Sequence, residues 1–578
     1  MLLKDMKNAL FLQSIKMRMK RFLLPLLFLL PVACAKIVAP VGGPKDVTPP
    51  QIVKATPPNQ SPYFNSKIIK ITFDEFVVLN NPADRVIFSP PISQIPDFSL
   101  SRKSLIIKFS DTLQSNTTYN IAFPDCVKDF TEGNSIPFFQ YTFSTGAYID
   151  SFYVSGEITE TLSLQPASDC FVFLYKKNID SLPKTVRPDY VTRTDPQGHF
   201  NFTNIAEGIY KIFALKDINQ NYIYDLPNES IAFQENLVTA LPIAWVDSAS
   251  KDSLSDLFVQ IESQYVHLTL FTEKDTVHRE PKWTTPRKGV YEFVFNKPIN
   301  EYSINHLDTS QKVEWFEKLS SQRDTLTLFL KQPISDSLHI EIWTDGLYRD
   351  TCHLLPFRET RQRGRESSKK QSDDKLQVTS VNADHLYLPM MLNFSGPIRP
   401  VDSVPVMLIK RKNSGNDTLV DYISIPDGLV TAYPLLFKKE EKVPYTMIFQ
   451  DSLFWSYQGA THDSLFFNFT IKSDKDYGDL MMRYQIEEEG IGYIISLISS
   501  KDKIIQTDTI LSSRKIYYTH LIPDHYKIKV IEDVNLNGKW DTGNYEKKIQ
   551  PEKIFYFDKP IIIRGYWEVE EVFKISKK

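Results

Sequence analysis

At 578 residues the chain is too long for one hydrophobic core, and its length alone suggests about four domains. Hydrophobic residues at 42% and charged residues at 24% exclude general disorder. A formal net charge of −3 supplies no global field for DNA or RNA, so no nucleic-acid partner is expected. With 38 Phe, 28 Tyr and 36 Pro against only 20 Gly, the composition favours short strands punctuated by proline.

The chain opens on a targeting layout. Lys16, Arg18, Lys20 and Arg21 precede the apolar run Phe22 to Leu30, and small residues follow. That run is about half of the ~20 apolar residues a spanning helix needs, so a permanent anchor helix is disfavoured. Met17 or Met19 would start a signal of more usual length. The segment Pro31-Val32-Ala33-Cys34-Ala35 resembles a bacterial lipobox, with Pro31 where Leu is usual. The resemblance implies a signal peptide over 1–33 and acylation of Cys34, with more than one acyl chain giving a stable anchor. The alternative is an ordinary signal peptide with an incidental cysteine. Ala35 is not an acidic retention residue, and no acidic cluster follows, which points to a periplasm-facing, lipid-anchored protein of the outer membrane. Beyond Cys34, the cysteines Cys126, Cys170 and Cys352 are read as three buried small hydrophobes, or as one disulfide plus one thiol.

A Gly- and Pro-rich stretch makes 34–50 a tether. Strand-like runs then begin at Ile68 to Phe73, Ser104 to Phe109 and Thr118 to Phe123, each bounded by turn residues. Asp46-Val47-Thr48-Pro49-Pro50, Phe73-Asp74-Glu75-Phe76, Asn116 to Tyr119 and Tyr141 to Gly146 resemble the bacterial Ig-like domain of S-layer and envelope lipoproteins. Cys34 to Gly146 as a whole is similar to the front end of Gram-negative envelope lipoproteins. This implies an Ig-like sandwich over 51–147, a tethered location and no catalysis.

The segment 150–262 carries Phe171 to Tyr175, a turn at Asp195-Pro196-Gln197-Gly198, then Phe200-Asn201-Phe202. It is similar to the prealbumin-like modules of carboxypeptidase regulatory domains, which are stabilising or binding units. Segments 263–357, which opens with Val266 to Phe271, and 377–472 are read as further Ig-like sandwiches. Between them the polar, charged stretch 358–376 is read as a linker. The fold class expected is therefore all-β: tandem sandwiches, Ig-like and prealbumin-like, behind a lipoprotein signal peptide.

A repeat is the sharpest feature. Tyr210-Lys211-Ile212 leads to Asp217, Asn219, Asn221 and Asp225; Tyr526-Lys527-Ile528 leads to Asp533, Asn535, Asn537 and Asp541. The oxygen residues fall at positions one, three, five and nine in both copies, making 473–573 a second prealbumin-like unit. Oxygens at one, three and five resemble the start of an EF-hand calcium loop, but Asn228 and Asn544 stand at the twelfth position in place of the bidentate Glu. Two readings follow: calcium held weakly, at roughly 10⁻⁴–10⁻³ M, or a long turn in which Asp and Asn cap their own backbone.

None of the ten histidines forms a His-Glu-x-x-His pair, and no G-x-S-x-G elbow, P-loop or dinucleotide fingerprint occurs. Asp384-His385 and His462-Asp463 are sequence neighbours, which on strands point to opposite faces. The expectation is a non-catalytic tethered scaffold or adaptor for envelope protein partners such as outer-membrane assembly or secretion machinery. The alternative is a glycan- or peptidoglycan-binding lipoprotein.

Overall fold

The run from Ile68 to Phe73 alternates, and the strand Ile68–Phe73 buries Ile69, Ile71 and Phe73 while turning Ile68 and Lys70 to solvent. The computed structural model describes residues 46–110, 112–136, 138–243, 264–307, 312–332, 334, 336–356, 375–412, 415–487 and 490–576. The expected signal segment, Cys34 and most of the expected linker lie outside the described residues.

In the first unit an antiparallel sheet ordered Ile52–Thr56, Ile68–Phe73, Ser104–Lys108, Asp97–Ser101 faces a sheet of Ile87–Ser89, Thr118–Pro124 and Phe138–Ser144. Ile71, Ile107, Tyr119, Ile121 and Phe143 meet between them. Full burial of each such side chain contributes about 1.5–3 kcal/mol. Four further clusters give each later sandwich its own core. The chain is all-β, built of tandem β-sandwiches.

The second unit explains the repeat. Its sheet runs Tyr190–Arg193, Phe171–Tyr175, Ile209–Lys216, Ser230–Phe233, Val266–Thr272, Phe152–Glu160, His199–Ile205. Val266–Thr272 pairs parallel with the unit's own first strand, Phe152–Glu160, and antiparallel with Ser230–Phe233. The expected break between 262 and 263 is therefore displaced. The run from Val266 to Phe271 completes the second sandwich and does not open the third. Its alternation marks a strand but carries no mark of which sheet will take it. In the last unit Glu568–Ile575 likewise returns parallel to the first strand, Gly478–Ile486, so that unit runs past the expected end at 573.

At Gly156 the returning strand comes so close that an added Cβ would lie 2.2 Å from the Val266 carbonyl oxygen and 2.6 Å from Phe200 Cζ. Glycine is what lets the two strands meet there.

The strand Phe171–Tyr175 is buried at all five positions. Val172 and Leu174 enter the sandwich core, while Phe171, Phe173 and Tyr175 form a second cluster on the opposite face. A strand this apolar requires cover on both sides. Part of the outer cover is Ile87 of the first unit, and part is Tyr545 of the last.

The third sandwich joins Lys282–Arg287, Val290–Val294, Thr325–Leu330 and Trp315–Leu319 to a sheet of Tyr302–His306, Leu338–Thr344 and Tyr348–Leu354. In the fourth, the long strands Val401–Lys412 and Gly415–Ile425 pair with each other, and Pro444–Phe449 and Leu465–Thr470 continue that sheet.

Candidate functional site

Both copies of the Asp/Asn repeat fold alike. Asp217 follows the strand Ile209–Lys216, and Asp533 ends the strand Asp524–Asp533. Each is buried, and each spends its carboxylate on the turn's own amides. Asp217 accepts the N–H of Gln220 and of Tyr222, both at 2.7 Å. Asp533 accepts the N–H of Asn537 at 3.0 Å and of Gly538 at 2.8 Å.

The two asparagines then close on the far aspartate. Asn219 and Asn221 donate to Asp225 at 3.1 and 2.8 Å; Asn535 and Asn537 donate to Asp541 at 2.6 and 2.5 Å. All four oxygen residues of each copy are thus brought together. The fourth and sixth positions are left-handed in both, at Gln220 and Tyr222 and at Leu536 and Gly538. Glycine takes that backbone freely. Tyr222 does not, and its ring packs edge-on against Phe171 at 5.1 Å, which offsets the strain.

One member of each loop was not found in sequence. Glu229 and Glu552 clamp the loops from outside. Glu229 accepts the N–H of Ile218 and, through its other oxygen, of Asp225 and Leu226. Glu552 accepts the N–H of Val534 at 2.9 Å and of Asp541 at 2.8 Å. The twelfth-position comparison stopped at Asn228, one residue short of Glu229. In the second copy the glutamate stands eleven residues past Asp541, against four past Asp225 in the first. Burial raises the pKa of Asp217, Glu229 and Glu552. Burial also pushes Asp541 upward, but hydrogen bonds from Asn535, Lys274 and Asn537 outweigh it and leave its pKa lowered.

Among the described residues no group of three or more His, Cys, Asp or Glu side chains gathers as metal ligands. The loops' donors are carboxylates and amides, which fit a hard cation in kind, yet here the amide nitrogens of the asparagines face the far aspartate.

The additional residues of the second copy form a hairpin. Asn544 and Ile549 exchange backbone hydrogen bonds, and the turn between them reaches the outer face of the second sandwich. Tyr545 enters the aromatic cluster there, with ring centroids 5.3 Å from Phe233 and 5.8 Å from Phe213. Its hydroxyl donates to the Asp180 carbonyl, and its N–H donates to Glu273 at 2.7 Å. Gln550 donates to the Phe233 carbonyl and Thr542 to the Thr272 carbonyl. Three lysine–carboxylate pairs ring the contact: Lys548–Asp180, Lys184–Glu546 and Lys274–Asp541.

The histidines flagged beside aspartates serve the backbone. His385 Nδ1 accepts the N–H of Tyr387 and Leu388 at 3.2 Å, and His462 Nε2 accepts that of Phe454 at 3.0 Å. Burial lowers the pKa of His385, reinforced by Lys439 and Lys472. Cys126, Cys170 and Cys352 are free and buried, and burial pushes their thiols to about 12, 11 and 11. They are inert packing groups.

Residues 46–145 match the model of a bacterial Ig-like domain, the span of the first sandwich. No curated protein matches the chain. Among solved structures the chain is similar to E. coli alpha-2-macroglobulin in its native conformation, at 10% identity and a TM-score of 0.12, covering 85% of this chain and 41% of that one. It is also similar to the S-layer protein rSbsC(31-844), at 9% identity and 0.13, covering 89% and 67%. A third is the Bacillus cereus major pilin subunit, at 9% identity and 0.14, covering 74% and 100%. At such identities and scores these likenesses carry no argument about function. The first unit is a bacterial Ig-like domain, and the chain carries it at the head of a tandem of β-sandwiches.

Proposed function

We propose that the chain is a non-catalytic envelope lipoprotein, tethered through Cys34 to the outer membrane and acting as a scaffold or adaptor for envelope protein partners. The observation that carries this reading is the clasp at Tyr545. A hairpin of the last unit completes the aromatic cover of the second, so the sandwiches brace one another, as a spacer that presents partner surfaces at fixed separations requires. The two Asp/Asn loops sit beside that clasp, and calcium is their proposed ligand, held by Asp533, Asn535, Asn537 and Asp541 and, in the first copy, by Asp217, Asn219, Asn221 and Asp225. A bound cation there would supply rigidity.

Affinity purification of the lipidated protein from cross-linked envelopes tests the scaffold. Co-purifying integral membrane proteins, among them assembly or secretion components, are expected. Retention on peptidoglycan or another polysaccharide with no protein partner would overturn it in favour of a glycan binder. The anchor has its own test: Cys34→Ser should lose fatty-acid labelling and leave the membrane fraction. Labelling of that variant would refute lipidation at Cys34.

A further inference from the structure

Between the third and fourth sandwiches lies a cleft of about 440 Å³, and a second cavity of about 480 Å³ adjoins it, sharing Arg287 and Phe329 as lining. Together they are of the size that takes a ligand larger than a single small ion.

Two of the lining groups lack the partners their chemistry calls for. Arg287 ends the strand Lys282–Arg287, where its backbone pairs with Val290; the side chain is half-buried, and its guanidinium has no ion pair or hydrogen bond among the described residues. Its guanidinium lies over Gly396 of the fourth sandwich, where an added Cβ would stand 3.3 Å from Nη2. Burial disfavours its charge, and Glu292 offsets this only in part. Gln458, which also lines the cleft, donates its amide N–H to the Leu330 carbonyl, while its Oε1 is buried without a donor. The placement is built in: an added Cβ at Gly289, whose φ is +72°, would fall 2.4 Å from Gln458 Cδ. Lys375, also at the rim, is already paired with Asp463. An unpaired guanidinium and an unpaired buried acceptor each cost free energy unless something satisfies them.

We propose that this cleft is a binding site for an acidic saccharide. Its carboxylate would pair with the Arg287 guanidinium, which suits planar, bidentate recognition. A neighbouring hydroxyl would donate to Gln458 Oε1. A neutral sugar leaves the guanidinium unpaired, and an inorganic anion without an O–H, such as sulfate, leaves the amide oxygen unpaired. The site calls for an anion beside a hydrogen-bond donor, and an acidic saccharide carries both. The proposal is independent of the scaffold reading, and either can fail without the other.

The test is titration calorimetry on the full chain in detergent, with trigalacturonate, the neutral trisaccharide cellotriose and inorganic sulfate as probes. Trigalacturonate should bind at least about tenfold more tightly than either other probe, and more weakly as salt is raised. Arg287→Ala should weaken it at least about tenfold, with Arg287→Lys retaining part of the affinity. Equal binding of acidic and neutral saccharides, equal binding of sulfate, or no saturation by trigalacturonate at about 10 mM would overturn the proposal. Because the wild-type comparison among the three probes is decisive alone, the conclusion stands even if Arg287→Ala proves unstable. A folded Arg287→Ala that binds trigalacturonate like wild type would overturn it too.

Discussion

Tyr545 is the side chain on which the clasp turns, because it couples burial to two directed hydrogen bonds. Truncating it to Ala should cost about 3–5 kcal/mol at the contact, as for other buried aromatics. Tyr545→Phe keeps the packing and forfeits the bond to the Asp180 carbonyl, so about 1 kcal/mol is expected. Urea unfolding of the two variants checks the ratio. In the neighbouring loop, Asp533→Ala strips the acceptor from two amides and should destabilise by about 1–3 kcal/mol without any metal. Calcium at ten times its dissociation constant should stabilise wild type by about 1.4 kcal/mol and the variant not at all. Identical responses in a thermal scan would leave the turn a purely structural one. The Asp and Asn positions were legible in sequence because the repeat has a fixed internal period. Glu229 and Glu552 were not, since their distances from the aspartates differ and only folding shows that they clamp the same amides.

Strands of the second and last units show how far periodicity reaches. Alternation located Val266–Thr272 as a strand, and the run Phe171–Tyr175 read as a strand, while its burial on both faces came only from the structure. Neither pattern states a partner. The parallel return of Val266–Thr272 onto Phe152–Glu160 is a long-range choice written in close contacts such as the one at Gly156, where a side chain is excluded by backbone and ring together. Gly156→Ala should therefore cost about 3 kcal/mol, the upper part of the range for overpacking. Urea midpoints compared with those of Gly208→Ala, where an added Cβ would come no nearer than 3.3 Å to the Tyr210 side chain, separate this crowding from a general loss of a glycine. If Gly156→Ala unfolds at the wild-type midpoint, the two strands do not approach as closely as described.

Over the whole molecule the clasp is held partly by charge, which makes it responsive to acid. Hydrogen bonds from Lys211 and Lys548 hold the Asp180 carboxyl below its ordinary 3.8, and Lys184 holds Glu546 below its ordinary 4.5. A depressed carboxylate stabilises fully above its unfolded value and loses that contribution as pH falls through the folded one. The clasp should thus be intact at neutral pH and loosen below about pH 4, sooner in high salt because the pairs are largely exposed. The raised carboxyls Asp217, Glu229 and Glu552 act with the opposite sign: their contribution declines as pH rises from the ordinary to the folded value. Hydrogen exchange of the hairpin amides, read against those of the loops, separates the two effects. Protection lost only in the hairpin at low pH, after correction for the intrinsic exchange rate, is expected, and uniform loss would contradict the assignment.

The contact between Gln550 and Phe233 spans 317 positions of chain, and that separation has a consequence for biosynthesis. A polypeptide emerges in order, so the second sandwich is finished long before the hairpin that covers it exists. At about 5–20 residues per second the interval is about 15–60 s. Throughout it, Phe213, Phe233 and Phe271 present a bare aromatic surface to whatever is nearby. Until the hairpin docks, a partly folded chain carries an aggregation-prone aromatic face, the kind of surface that holdase chaperones cover.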